Sequence, residues 1–239
     1  MSAYIQQVIE QNKLQLYKIV TYEKYMQRCK VLLSTYNGSR YISEQLDSIV
    51  TQKCDCLVSL FIRDDGSTDD TVDIIKTYKD KIDLQLICGE NIGINNSYYF
   101  LIRNSNKSDY YAFADQDDIW FSNKIASGVE KLKCYINQPA LYGSDTTTLV
   151  MPENNCIPRK VIHSDKYDNI INNLFRIKYS GCTMIINEEM KERLLYLPLD
   201  KMNLYGFFPD FAFMIEAIIN GNVIYDPIST MIIGLIQIV

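Results

Sequence analysis

Several things that would narrow the chemistry quickly are scarce in this chain. Its 239 residues hold one histidine, His163, in an irregular central stretch where it reads as a surface or core residue rather than a ligand. Seven cysteines lie at 29, 54, 56, 88, 134, 156 and 182 without a zinc-like paired spacing, because Cys54 and Cys56 have one residue between them and no second pair. An odd, scattered set of thiols is expected to stay reduced, as in a cytoplasmic protein. No stretch reaches the ~18–20 apolar residues of a membrane span. The first twenty residues mix polar and apolar types, so a secretory signal is not expected. There is no long basic run, and a net charge of -5 argues against a nucleic-acid partner. Internal repeats and low-complexity linkers are absent, and no Lys or Arg follows Lys201.

What is present is an alternation. Residues 1–28 carry Ile5, Val8, Ile9, Leu16, Val20 and Tyr25 at roughly helical spacing. They read as a helical extension that either packs as an arm, in a homo-oligomer for instance, or docks on a membrane surface. Short apolar runs at 30–34, 57–62, 84–88 and 110–114 read as strands, separated by helical patterns. The first of these helices has Ile42, Leu46 and Ile49 on one face and Ser39 as its expected cap. Alternation of this length is the signature of an α/β fold with a mostly parallel sheet flanked by helices. Further along, a helix at 124–135 and a strand at 140–144 are expected, then a strand at 181–186. Helices near 188–196 and 210–219 and a strand at 222–225 complete the pattern. One domain over 29–239 is the economical reading.

The polar residues collect after the strands. Thr35, Tyr36 and Asn37 follow the first, Asp64-Asp65-Gly66-Ser67 the second, and Asp115 to Asp118 the fourth. In a parallel sheet these loops share one edge, where ligands of open α/β sheets bind. Asp64 or Asp65 can accept hydrogen bonds from a base or sugar, though the same residues also suit a turn and helix cap. In YYAFADQDDIW an aromatic run stops in three carboxylates, Asp115, Asp117 and Asp118. Such crowding is costly unless a positive group sits in it, and a divalent cation is the natural guess. If the backbone stays extended there, Asp115 and Asp117 project to one side.

Taken in order, STYNG at 34–38, YISEQLDSI at 41–49, IRDDGSTDDT at 62–71, ENIG at 90–93 and ADQDDIW at 114–120 resemble the family 2 glycosyltransferases. These are inverting enzymes with the GT-A nucleotide-diphospho-sugar transferase fold. The resemblance runs from about Lys30 to Asp226 and looks most like the rhamnosyltransferase-like branch of bacterial cell-surface polysaccharide synthesis. It implies that Thr35, Tyr36, Asp64 and Asp65 surround the nucleotide, with Asn37, Asn96 and Gln116 in the same nucleotide-sugar site. It implies that Asp115 lies near the ribose and that Asp117 holds Mg²⁺ or Mn²⁺. The general base is expected at Asp210, in a segment where relatives usually carry histidine and this chain has Pro209. Asp145 and Glu216 are weaker candidates for that role.

The implied partners are a nucleotide-diphosphate sugar donor and a saccharide or lipid-linked acceptor, met in the cytoplasm or at the inner face of the cell membrane. Relatives generally continue past the last strand with an Arg or His that supports the diphosphate. Here an apolar segment, 228–239, stands instead, to be read as a buried strand, a membrane contact or an oligomer contact. The domain therefore looks short at its C-terminus, which opens a second reading: a nucleotide-sugar-binding homologue or partner subunit without catalysis. A nucleotidyltransferase is a third, disfavoured because STYNGSRY supplies only Arg40 for a triphosphate.

Overall fold

In β1 (Gln27–Thr35) and β2 (Cys56–Asp64) the last five residues are all buried, as expected of strands covered on both faces, and the runs turn polar only at their C-terminal ends. The computed structural model describes residues 26–151, 157–159, 180–198 and 209–237. Residues 1–25 of the expected extension lie outside that set, and Gln27 and Arg28 already belong to β1. His163 and Cys156 also lie outside it.

Successive side chains of β1, β2 and β4 (Tyr110–Ala114) alternate between two core layers, as the strand period of two requires. Val31, Leu33, Leu60, Ile62, Ala112 and Ala114 join one layer. There they meet α1 (Ile42–Val50), α2 (Thr71–Lys76) and α4 (Lys124–Leu132), through Ile42, Leu46, Ile49, Ile75, Ile125 and Val129. Leu32, Phe61, Tyr111 and Phe113 face the other layer. It is built by α3 (Ile94–Asn104), α5 (Glu188–Leu195) and α6 (Pro209–Asn220). The result is a helix–sheet–helix sandwich.

The seven-stranded sheet has the order β10-β6-β9-β4-β1-β2-β3, with β3 at Asp83–Cys88, β6 at Ala140–Ser144, β9 at Ile185–Asn187 and β10 at Asn222–Asp226. Every pairing is parallel except that β9 runs antiparallel to both β4 and β6. A second sheet joins β5 (Ile119–Trp120), β11 (Met231–Gln237), β7 (Thr147–Met151) and β8 (Ile157–Arg159) in the order β5-β11-β7-β8. The apolar segment after residue 228 thus contributes a strand, with Met231 fully buried opposite Trp120. Among the described residues no helix is long and apolar enough to cross a membrane.

Two local expectations are corrected. The strand expected over 181–186 begins as a 3₁₀ turn, Gly181–Thr183, closed by Thr183 N–H to Ser180 O (2.9 Å) and Met184 N–H to Gly181 O (2.9 Å). Only then does β9 start, because an apolar run fixes burial but not backbone period. Ser39 does not cap α1: Tyr41 holds that position without a side-chain bond, and the Ser39 N–H donates to Asp69 Oδ2 at 3.1 Å.

Lys124 joins the layers. It is fully buried, donates to Thr183 O (3.3 Å) and Met231 Sδ (3.5 Å), and stands 4.9 Å over the Trp120 ring. Burial pulls its ammonium from 10.5 down to about 8, against the opposing pull of Cys182 and Asp118. Between those values the unfolded chain binds more protons than the folded one, so Lys124 makes stability rise with pH across that window. Urea midpoints of wild type and Lys124→Met at pH 8 and pH 10 test this. Wild type should gain about 2 kcal/mol relative to the variant at the higher pH, and an unchanged difference would refute it. A second test concerns Gly128, where an added Cβ would stand 2.6 Å from Ile185 Cδ1 and 3.0 Å from Tyr142 Cδ1, both on fully buried residues. Alanine gains about 1 kcal/mol of helix propensity, but overpacking costs about 1–3 kcal/mol. Gly128→Ala should lower the urea midpoint, and a raised midpoint would show that the layer can yield.

Candidate functional site

Register puts the strand-end loops side by side: Thr35 pairs with Asp64, Asp64 with Cys88, and Leu33 with Ala114. The loops are then knitted together. Gln116 Oε1 accepts from Thr35 Oγ1 (2.7 Å) and Tyr36 N–H (2.9 Å), while Gln116 Nε2 donates to Tyr36 O (3.2 Å). Asn37 adopts a left-handed backbone (φ 47°), and its Oδ1 accepts from Thr68 N–H at 2.9 Å. Its own N–H donates to Ser67 Oγ at 2.9 Å. Gly38 is needed here, since a Cβ would collide with the Gln116 side chain. Above this floor the Tyr36 ring remains 46% exposed, open to a flat ligand.

Asp64 and Asp65 are buried and build the loop from within. Asp64 Oδ2 accepts from Gly66 N–H (3.2 Å) and Ser67 N–H (3.0 Å), and Oδ1 from Ser67 Oγ (2.5 Å), around a glycine at φ 86°. Asp65 pairs with the Arg63 guanidinium and accepts from Ile92 N–H and Gly93 N–H, each at 2.9 Å, fastening the start of α3. Burial works against its ionisation, but the Ile92 N–H, Arg63 and the Gly93 N–H together hold its carboxyl below the usual range. Asn96, half-buried in the first turn of α3, donates from Nδ2 to Ile92 O at 2.7 Å.

The acidic segment is a turn between β4 and β5 rather than an extended strand, so its side chains do not alternate. Asp115 is half-buried and accepts from Tyr98 O–H at 2.6 Å, Asp117 is exposed, and Asp118 is buried beneath. The expected shared side for Asp115 and Asp117 is therefore not enforced by strand geometry; the turn sets both. Burial raises the Asp115 carboxyl, and the negative charges of Asp117 and Asp210 add to the rise while Tyr98 opposes it. A cation at the mouth would relieve that crowding. Ligand atoms of Asp115, Asp118 and Cys182 come within 4.8 Å of one another. The thiol is an unsuitable member, because burial and then Asp115 push it well up, and a protonated sulfur does not suit a hard cation. Asp118 stands in the field of the Lys124 ammonium. Carboxylate oxygens suit Mg²⁺ or Mn²⁺, and at the mouth of the turn these belong to the half-buried Asp115 and the exposed Asp117.

Beside Asp115 opens a cavity of about 130 Å³, lined also by Asp210, Gly181, Ser180 and Asn95, with apolar walls from Ile94, Phe113, Pro209 and Phe213. Asp210 sits in the first turn of α6, accepts from Phe211 N–H (2.8 Å) and lies against Gly181, whose Cβ position would be 3.3 Å from Asp210 Cβ. Burial raises its carboxyl, while the Phe211 and Gly181 N–H groups pull the other way. The weaker candidates lie elsewhere. Asp145 is buried at the end of β6, accepting from Tyr225 O–H at 2.7 Å, and Glu216 pairs with Arg193 at 2.6 Å. Tyr98, Ser180 and Gly181 were missed as cavity residues. In sequence Tyr98 falls in 91–105, which reads as a loop and helix, Gly181 reads as the start of a strand, and Ser180 lies just before it.

The model of the family described as "Glycosyl transferase family 2" matches residues 30–193. The dTDP-rhamnosyl transferase RfbG of Shigella flexneri is 32% identical over 163 residues, covering 66% of this chain and 54% of that protein. The Escherichia coli enzyme WfaP, a UDP-Glc:alpha-D-GlcNAc-diphosphoundecaprenol beta-1,3-glucosyltransferase, is 31% identical over 110 residues, covering 44% of this chain and 41% of its own. The chain thus spans about half the length of the curated relatives it matches. Solved structures share the fold at low identity. S. aureus TarS 1-349 in complex with UDP-GlcNAc has a TM-score of 0.65 at 17% identity, over 88% of this chain and 59% of that one. The mannosyltransferase PcManGT from Pyrobaculum calidifontis, in complex with GDP-Man and Mn2+, has a TM-score of 0.62 at 18% identity, over 90% and 59%. With the family model covering most of its length and a GT-A sheet carrying the matched loops, the chain belongs to glycosyl transferase family 2.

Proposed function

We propose that the chain transfers a sugar, with inversion, from a nucleoside diphosphate donor to a hydroxyl of a saccharide or lipid-linked acceptor, at the cytoplasmic face of the membrane. The observation that carries this is the convergence of Asp115 and Asp210, distant in sequence, on one small apolar-walled cavity. The Tyr36 ring stacks on the base, and Thr35, Asn37, Asp64, Asp65, Asn96 and Gln116 form or brace the nucleotide-sugar pocket. A divalent cation held by Asp115 and Asp117 would neutralise charge developing on the departing diphosphate. The acceptor oxygen forms the new bond to the anomeric carbon, its proton passes to Asp210, and the bond to the diphosphate breaks on the opposite side. The dry walls beside Asp210 suit that task, because burial raises its affinity for the proton it must take. Donors bound by structural neighbours (UDP-GlcNAc, GDP-Man with Mn2+) and the diphosphoundecaprenol substrate in the WfaP name support the substrate classes.

The apolar walls support one class of donor sugar. Ile94, Phe113 and Phe213 offer apolar contact that suits a methyl group better than a hydroxymethyl. A 6-deoxyhexose fits, in keeping with the rhamnosyl donor in the name of RfbG.

Asp210→Asn should reduce transfer at least a thousandfold while Mn²⁺-dependent nucleotide affinity, read by calorimetry, stays within a few-fold. Undiminished turnover would remove Asp210 from the mechanism. Because burial raises the Asp210 carboxyl and the base must be ionised, the acid limb of the wild-type pH–rate profile should lie above the ordinary carboxylate value of 3.8. In a panel of dTDP-, UDP- and GDP-sugars, a 6-deoxyhexosyl donor should show the highest kcat/KM. Preference for a hexosyl donor would refute the wall argument, whereas binding without hydrolysis or transfer of any donor would favour a non-catalytic nucleotide-sugar-binding protein.

A further inference from the structure

Among the described residues six tyrosines are buried to 7% exposure or less: 78, 98, 99, 110, 111 and 142. Five have hydroxyl partners: Tyr78 donates to Asp47 (2.9 Å), Tyr98 to Asp115 (2.6 Å), Tyr111 to Glu188 and Tyr142 to Asp226 (3.1 Å), and Tyr110 accepts from Gln27 (2.9 Å). Tyr99 is the exception. It is 4% exposed, and its hydroxyl is buried with no hydrogen-bond partner among the described residues. An unpaired buried hydroxyl costs stability that phenylalanine would not, so its presence calls for an account.

The surroundings supply one. Tyr99 lies one helical turn beyond Asn95 on the same face of α3, and Asn95 lines the cavity that holds Asp210. That part of α3 packs against α6, where Tyr99 shares a core with Ala212, Phe213 and Met214. Phe213, one turn from Asp210, lines the same cavity. The Tyr99 hydroxyl therefore stands behind the wall that carries the carboxylate, close enough that Asp210, after burial itself, strengthens its hold on its proton. The charged and titratable groups that act on Asp210 include Asp115 from the end of β4 and Tyr99 from α3, and the N–H groups of Phe211, Gly181 and Asp210 itself favour its ionised form.

We infer that Tyr99 is a positioning residue for Asp210, donating a hydrogen bond to the carboxylate in a second orientation. That orientation, turned from the Phe211 and Gly181 N–H groups toward the place of an acceptor hydroxyl, is one that the free protein also populates. The inference rests on the role of Asp210 as the base, and it gives that group a second orientation in which it is held rather than free. A donor to the ionised form also keeps the carboxylate deprotonated at the moment it is needed.

Tyr99→Phe separates this from a packing role. Loss of an unpaired hydroxyl should leave the melting temperature unchanged or raised, and Mn²⁺-dependent nucleotide affinity within twofold. Transfer should fall at least tenfold in kcat with KM nearly constant, and the acid limb of the kcat profile should move to higher pH. Carbon-13 titration of the Asp210 carboxyl should show the same upward movement without any substrate. A Tyr99→Phe protein with wild-type kcat, profile and Asp210 titration overturns the inference while leaving the glycosyltransferase reading intact. If wild type itself transfers no donor, that reading fails. An Asp210 midpoint unmoved by Tyr99→Phe then overturns the hydrogen bond as well.

Discussion

Everything at the site depends on β1 pairing in parallel with β2 on one side and β4 on the other. A parallel pair has all its C-terminal ends at one edge, so three loops separated by long stretches of sequence have to meet there. Register then sets their heights: Thr35 is level with Asp64, and Ala114 ends level with Leu33, two residues short of Thr35. That offset places Gln116 where its side chain can reach back to Thr35 and Tyr36 and close the floor. The antiparallel strand of the seven-stranded sheet, β9, matters as much. By running back beside β4 it brings the turn before it, and with it Gly181, up to the edge where Asp115 stands, next to Asp210 from α6.

The charge of the acidic turn is divided by depth. Asp118, buried, lies in the field of the internal Lys124 ammonium, which has only long contacts and an aromatic face around it. Asp115 sits at the boundary and Asp117 in solvent. A fold that buried all three carboxylates would face a desolvation cost that one lysine cannot offset. One that exposed all three would hold none of them in place. The arrangement leaves Asp115, crowded by the charges of Asp117 and Asp210, at the cavity, with the Lys124 ammonium in the layer beneath.

Much of this was legible in the sequence where burial and period coincide. The runs at 30–34, 57–62 and 110–114 fall inside β1, β2 and β4, and the Ile42, Leu46, Ile49 stripe is the buried face of α1. The loop residues were found because Asp, Gly, Ser and Asn cluster at strand ends for reasons of turn chemistry. The same chemistry hid their division of labour. Asp64 and Asp65 hydrogen-bond within the protein, so the competing reading of a turn and cap describes their contacts, whatever else they do. Asp210 was reachable only through the family resemblance, since an acid in a helix's first turn is ordinary. Tyr98, Tyr99 and Lys124 were not reachable. Their roles depend on which buried face they share with residues far away, and hydrophobic periodicity reports that a residue is inside without saying what it meets there.

The apolar walls tie these pieces into one argument. Ile94, Phe113, Pro209 and Phe213 wall the cavity that Asp115 and Asp210 line, and burial there raises both carboxyls and strengthens the interactions they make. The consequence for each acid differs with its partners. Asp115 has Tyr98 donating to it and Asp117 beside it, so its ionised form gains most from a cation arriving in solvent reach. Asp210 is raised by burial as well, while backbone N–H groups, those of Phe211 and Gly181 among them, favour its ionised form. One apolar-walled cavity thus holds two like residues with different partners, a tyrosine hydroxyl and Asp117 for one and backbone N–H groups for the other, and the proposed transfer needs both within reach of a single substrate.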